Sequence, residues 1–184
     1  MKRLLSTFAL VFAADVAHAA VQAPALKWAY GGCFASWCQT GWYSSPAVVD
    51  IDGDGTLDVV AGSYDVVALK GSDGTLLWRG ASEDRVWPGI AIGDLDHDGR
   101  VAIVVGRSGP GVTVYDLDGS VRSGWPVTPF AGGEVRSLAL ADLDRDGRLH
   151  VVVGDAAGVS SNYVDVLAPN GATRPGWPAR RSSD

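Results

Sequence analysis

The sequence predicts an all-β fold, and three observations lead there. Short Val- and Leu-rich runs alternate with Gly, Asp and Asn turns, and no stretch carries helical periodicity over a useful length. Glycine is abundant, at 24 of 184 residues, yet lacks the every-third-residue period that would mean collagen. Finally, one block of sequence recurs three times, with spacings of 44 and 48 residues between its first aspartates, Asp50, Asp94 and Asp142.

Composition narrows the rest. An apolar fraction of 47% with 20% charge is enough for a packed core and excludes wholesale disorder. A formal charge of −6 argues against a nucleic-acid binder, which needs a basic face. At the N-terminus, Lys2 and Arg3 precede an apolar run over residues 4–14, which is of signal-peptide length and too short to span a bilayer. Ala17-His18-Ala19 has the small-x-small form of a cleavage site. Residues 1–19 are therefore expected to be a signal peptide. No later run reaches transmembrane length, so the mature chain is expected to be exported, extracellular or periplasmic, with no membrane span. The organisation that follows is an N-terminal strand and cysteine loop at 20–42 and repeats at 43–86, 87–134 and 135–184.

Each repeat reads as four short strands. The first is the apolar run before an aspartate loop (47–49, 90–92, 138–140). The second is the Val-rich run after it (57–61, 101–105, 149–153). The third is 66–69, 112–115 and 164–167. A turn of Asp73-Gly74, Asp118-Gly119 or Asn170-Gly171 then supplies the glycine that a hairpin with positive φ requires. The fourth strand is expected to carry Trp78, Trp125 or Trp177. Four antiparallel strands per repeat of this length is the period of a β-propeller blade. Residues 25–30, around Trp28, look like the fourth strand of a further blade. The count is three full blades and a fragment, a partial propeller or one that association completes.

The aspartate loops carry the chemistry. Ten acidic residues lie in three segments: Asp50, Asp52, Asp54 and Asp58; Asp94, Asp96 and Asp98; Asp142, Asp144 and Asp146. Such clusters repel themselves unless a cation sits among them. Ca²⁺ takes six to eight oxygens, and alternate carboxylates on a tight turn converge to provide them. Backbone carbonyls of Thr56, Arg100 and Arg148, at loop position seven, are further candidate ligands. An EF-hand needs a bidentate Glu at position twelve between two helices; Ala61, Val105 or Val153 stands there instead. These loops, D-I-D-G-D-G-x-x-D-V-V and its two degenerate copies, resemble the FG-GAP or VCBS repeats of integrin-α-like β-propellers, over roughly residues 43–178. The resemblance implies calcium bound through D-x-D-x-D-G-x-x-[DE], one to three ions here. Only the first copy has the ninth-position acid, Asp58; Ala102 and His150 replace it in the others. The first loop is therefore expected to bind most tightly.

Other residues add less. Cys33 and Cys38 flank Phe-Ala-Ser-Trp, and in an exported chain predict a local disulfide. Trp78, Trp125 and Trp177 recur in phase and are expected to pack between blades. Trp37 and Trp42 lie outside that phase and are the candidates for ligand contact. After signal cleavage only His97 and His150 remain, both inside the aspartate loops. No nucleophile elbow, phosphate loop or His-rich metal set occurs. The sequence thus predicts a non-enzymatic extracellular binding or adhesion scaffold whose partner is a protein or glycan. The alternative is a propeller segment of a larger secreted polysaccharide-active enzyme.

Overall fold

A computed structural model of the chain describes residues 23–33, 38–39, 44–81, 84–109, 111–129, 134–155 and 163–180. The expected signal peptide, Trp37 and Trp42 lie outside these residues. No helix among them is long and apolar enough to cross a membrane.

A two-stranded ladder comes first, β1 (Gly32–Cys33) with β2 (Cys38–Gln39). Three antiparallel meanders follow. The first sheet is β3 (Ala47–Val49), β4 (Asp58–Gly62), β5 (Val66–Leu69) and β6 (Leu76–Arg79), paired in that order. The second has three strands, β7 (Ala91–Gly93), β8 (Ala102–Gly106) and β9 (Val112–Tyr115). The third returns to four, β10 (Val135–Ala141), β11 (His150–Asp155), β12 (Tyr163–Leu167) and β13 (Ala179–Arg180).

The sheets stack face to face because their inner strands are apolar on both sides. Strand β8 makes the period-two logic plain. Ile103 and Val105 point toward the first sheet, among Val60, Val66, Val86, Ile90 and Tyr115. Ala102 and Val104 point the other way, among Val112, Val114, Val135, Val151 and Leu167. All four are fully buried. A strand with neighbours on both faces must read as a continuous apolar run, and Ala-Ile-Val-Val does.

Two expectations about the fourth strand are corrected. Trp125 and Trp177 are not in strands. Each sits in a turn of the form Gly-Trp-Pro with a cis Trp–Pro bond, its N–H donating back to Arg122 or Arg174. Proline has no N–H to extend a ladder there. Pairing resumes after it, as an isolated Val112–Val127 bridge in the second sheet and as β13 in the third. Residues 23–31 form no strand either, so Trp28 is held without a ladder.

The third sheet also encloses an acidic side chain. Asp165 in β12 is fully buried; its Oδ1 accepts the Val166 N–H at 2.8 Å and its Oδ2 the Thr173 hydroxyl at 3.3 Å. Burial pushes its carboxyl above the ordinary aspartate range, against the pull of those two bonds. The folded state thus holds this proton more tightly than the unfolded state does. Its contribution to stability is full below the unfolded-state pKa of about 4 and is lost as pH rises through the folded-state value. Asp165→Asn is expected to raise the melting temperature near neutral pH, with the gain vanishing below about pH 4. A thermal melt series across pH checks this.

Candidate metal centre

The three aspartate loops share one backbone. Each joins the first strand of a sheet to the second. Loop position four is left-handed in every copy, as Gly53 (φ 75°), His97 (φ 58°) and Arg145 (φ 59°). Position six is a left-handed glycine, Gly55, Gly99 or Gly147. A left-handed histidine or arginine is unfavourable, and it is held here by carboxylates. The first aspartate gathers backbone N–H groups. Asp50 Oδ1 accepts from Gly53 and Asp54 and its Oδ2 from Gly55 at 2.9 Å. Asp94 and Asp142 accept from Asp98 and Gly99 and from Asp146 and Gly147 in the same way. The third aspartate accepts from position seven, with Asp54 bonded to the Thr56 N–H at 2.8 Å, Asp98 to Arg100 at 2.9 Å and Asp146 to Arg148 at 3.0 Å.

The second aspartate meets a cation that reasoning from the sequence missed. Lys70 Nζ lies 2.7 Å from Asp52 and 2.9 Å from Asp54. Arg122 reaches Asp96 at 3.3 Å and Asp116 at 2.6 Å. Arg174 pairs with Asp144. These cations come from the hairpin between the third and fourth strands, which opens at the same end of the sheet. The signal was present as Arg122-Ser-Gly-Trp-Pro and Arg174-Pro-Gly-Trp-Pro, one arginine at a fixed offset from each tryptophan. Position seven adds another pair in units two and three, Arg100 to Asp98 at 2.9 Å and Arg148 to Asp146 at 2.6 Å. The loops therefore carry much of their own neutralisation. Ionisation follows: bonding to Asp52, then Asp54, raises the Lys70 ammonium above the lysine range. Bonding to Lys70, then to the Thr56 N–H, lowers Asp54. The Arg100 backbone N–H and then its side chain lower Asp98; the Arg148 side chain and then its N–H lower Asp146.

Only the first loop brings carboxylates together as a metal would need. Among the described residues, Asp50, Asp52 and Asp58 form the one group of three whose ligand oxygens lie within 4.8 Å of one another. Asp58 is fully buried and already holds two backbone donors, the Ile51 N–H at 3.0 Å and the Gly71 N–H at 2.9 Å. It ties the loop to the start of the β5–β6 turn. In the second unit Ala102 stands at this position, inside the apolar core. In the third, His150 is buried, with Nε2 at 3.4 Å from Asp144. The fit to a hard cation is thus good in the first loop and poorer in the other two.

At the opposite end of the sheets, the loops between second and third strands and the links between sheets gather a different chemistry. Arg107 is buried and donates to the Tyr64 and Asp84 carbonyls at 3.1 and 3.0 Å and to the Tyr115 hydroxyl at 3.0 Å. Arg85 lies over the rings of Tyr64 (5.2 Å) and Trp87 (5.6 Å), and Arg136 lies over Trp87 at 4.1 Å. Trp87 is thus stacked with two arginines.

Residues 94–153 match the model of the FG-GAP-like repeat. No match to a curated protein sequence reaches significance. Among solved structures, the biofilm matrix protein Bap1 of V. cholerae is similar at TM-score 0.53 and 21% identity, over 85% of this chain and 34% of that one. BamB from Moraxella catarrhalis matches at TM-score 0.49 and 21% identity, over 75% of this chain and 38% of that one. The Pseudomonas aeruginosa PilY1 C-terminal domain matches at TM-score 0.47 and 20% identity, over 66% and 29%. The chain thus spans about a third of the length of these structures. Taken with the three stacked meanders, residues 94–153 match an FG-GAP-like repeat and the chain has a β-propeller-like fold.

Proposed function

We propose that the chain is an exported, calcium-binding β-propeller repeat protein that acts as an extracellular binding or adhesion scaffold rather than an enzyme. The observation that carries this reading is the convergence of Asp50, Asp52 and Asp58. Asp50, Asp52 and Asp58, with the Thr56 carbonyl, would hold a Ca²⁺ ion. The ion would supply charge neutralisation to carboxylates that Lys70 now shares. Lys70 is then a built-in competitor, and its long side chain is free to swing out to water. The role of the ion is to fix the loop between β3 and β4; no moving element is tied to it. Cys33 and Cys38 stand directly opposite each other across β1 and β2, which supports a disulfide, and a thiol count on the denatured chain tests it.

Calorimetric titration and melts with and without chelator test the metal. Asp52→Ala is expected to abolish most calcium-dependent stabilisation, and Asp96→Ala to change it little. Lys70→Met should tighten binding several-fold, because the ion no longer displaces an ammonium. Ion binding favours the folded state by mass action. Equal melting temperatures in calcium and in chelator, with no ion found by elemental analysis, would sink the reading. The partner we propose is an extracellular protein or glycan, met at the end opposite the aspartate loops by Tyr64, Arg85, Trp87 and Arg136. The likeness to a biofilm matrix protein supports a scaffold role, and Arg136→Ala should weaken capture of that partner in a glycan array or pull-down. The second reading is a segment of a larger secreted polysaccharide-active enzyme, and the chain spans only 34% of the length of the matched biofilm matrix protein. The reading frame beyond Asp184 decides between them.

A further inference from the structure

Three tryptophans latch onto a neighbouring hairpin in the same manner. Trp28 Nε1 donates to the Gly71 carbonyl at 3.1 Å, and its ring lies over Gly74, where a Cβ would come within 2.8 Å of it. Trp78 Nε1 donates to the Leu117 carbonyl at 2.7 Å, with its ring over Gly119 at the same separation. Trp125 Nε1 donates to the Pro169 carbonyl at 3.1 Å. The receiver each time is the turn between third and fourth strands of the following sheet. Its left-handed glycine, at φ +78°, +85° and +84°, leaves room for the indole or the backbone around it. Trp177 is the fourth member of this series. It is half-buried and has the backbone geometry of Trp125, its N–H donating to Arg174 at 3.1 Å as Trp125 does to Arg122. Among the described residues, nothing accepts its indole N–H.

Among the described residues the receiving turns are all filled, but not equally well. Those of the second and third sheets are filled by tryptophans anchored in the sheet before. That of the first sheet is filled by Trp28, from residues 23–31, which join no strand and are mostly exposed. Beneath that segment lies a half-open cleft of about 250 Å³, lined by Trp28 and Tyr30 and by Pro46, Val59, Val67 and Leu69 of the first sheet. The outer face of the first sheet is thus covered by a short segment where the inner sheets are covered by another sheet.

We propose that Trp28 and Trp177 compete for one turn, the Gly71–Gly74 turn, so that a second copy of this chain is the occupant of the first sheet's outer face. In a single chain Trp28 caps the turn. When residues 23–31 swing away, Trp177 of another copy takes the Gly71 carbonyl, and the third sheet of that copy covers the cleft. The second copy is the fitting occupant because, among the described residues, the chain carries both an unused donor and a receiver whose present occupant lacks a sheet behind it. The contact is heterologous, end to beginning, and closes a ring or extends a chain of copies. The segment around Trp28 then regulates assembly. This proposal rests on the packing of the sheets and is independent of the metal.

Analytical ultracentrifugation of the purified chain tests it. Trp28→Ala is expected to raise the weight-average mass roughly twofold or more over the wild type at matched concentration. Adding Trp177→Ala should return it to the wild-type value. Where Trp28→Ala folds poorly by circular dichroism, Trp28→Phe keeps a ring over Gly74, removes the N–H, and should shift the mass in the same direction. A folded Trp28 variant that associates no more than the wild type overturns the proposal. So does association that persists undiminished with Trp177→Ala.

Discussion

Asp58→Ala is expected to produce the largest loss of stability of any change in the aspartate loops. The carboxylate is fully buried and satisfies two backbone donors, on Ile51 and on Gly71. Hydrogen bonds to a charged group are worth more than neutral ones, and orphaning a buried donor costs its full desolvation, so the change should cost about 3 kcal/mol. For a chain of this size that is a fall in melting temperature of roughly 6–12 °C. The cost should persist in chelator, because both bonds are internal to the protein. A purely ligand-binding Asp58 would instead show its effect only with calcium present. Asp58→Asn should recover part of the loss, since its single carbonyl oxygen accepts where the alanine cannot. Thermal melts of the two variants in calcium and in chelator separate the two roles.

Gly106→Ala is expected to be nearly as damaging, for a steric reason. A Cβ there would overlap Val135 and approach Pro88 Cγ to 2.9 Å. Val135 is fully buried at the start of β10, and Pro88 is buried in the link ahead of β7, so neither has free space to move into. Overpacking of this kind costs about 1–3 kcal/mol. Gly111→Ala is the matched control: nothing lies within 4 Å of its Cβ position, and the change should be close to neutral. Equal melting temperatures for the two variants would contradict this account. Gly62 plays the same part in the first sheet, where a Cβ would come to 2.9 Å of Val86. The glycine twelve residues after Asp50 and Asp94 therefore marks where the chain crosses tightly over the end of a second strand, whereas Gly154 of the third sheet meets the side chain of its own ladder partner, Ser137. The repeat displayed that glycine, but its purpose depends on which segment passes above it.

The sequence alone determined the features whose cause is local. Strand alternation, Asp-Gly turns and the three-fold recurrence of D-x-D-x-D-G are set by residues within a few positions of each other, so the all-β meanders and the shape of the loops were legible. The stronger claim of the first loop to a metal also followed from one residue, Asp58 against Ala102 and His150. Tertiary structure decided what depends on distant partners. Lys70, Arg122 and Arg174 neutralise loops that lie 18 to 30 residues away, so the acidic clusters read as more demanding of an ion than they are. Trp125 and Trp177 occupy turns because a following proline withholds the N–H that a ladder needs, and the indole of Trp125 is spent on the next sheet. Residues 25–30 look like a fourth strand, yet a fourth strand forms only beside a third, and no described strand lies next to residues 23–31 to pair with them. Local spacing writes the loops and hairpins of this protein, while the stacking of one sheet on another chooses which of their groups are used.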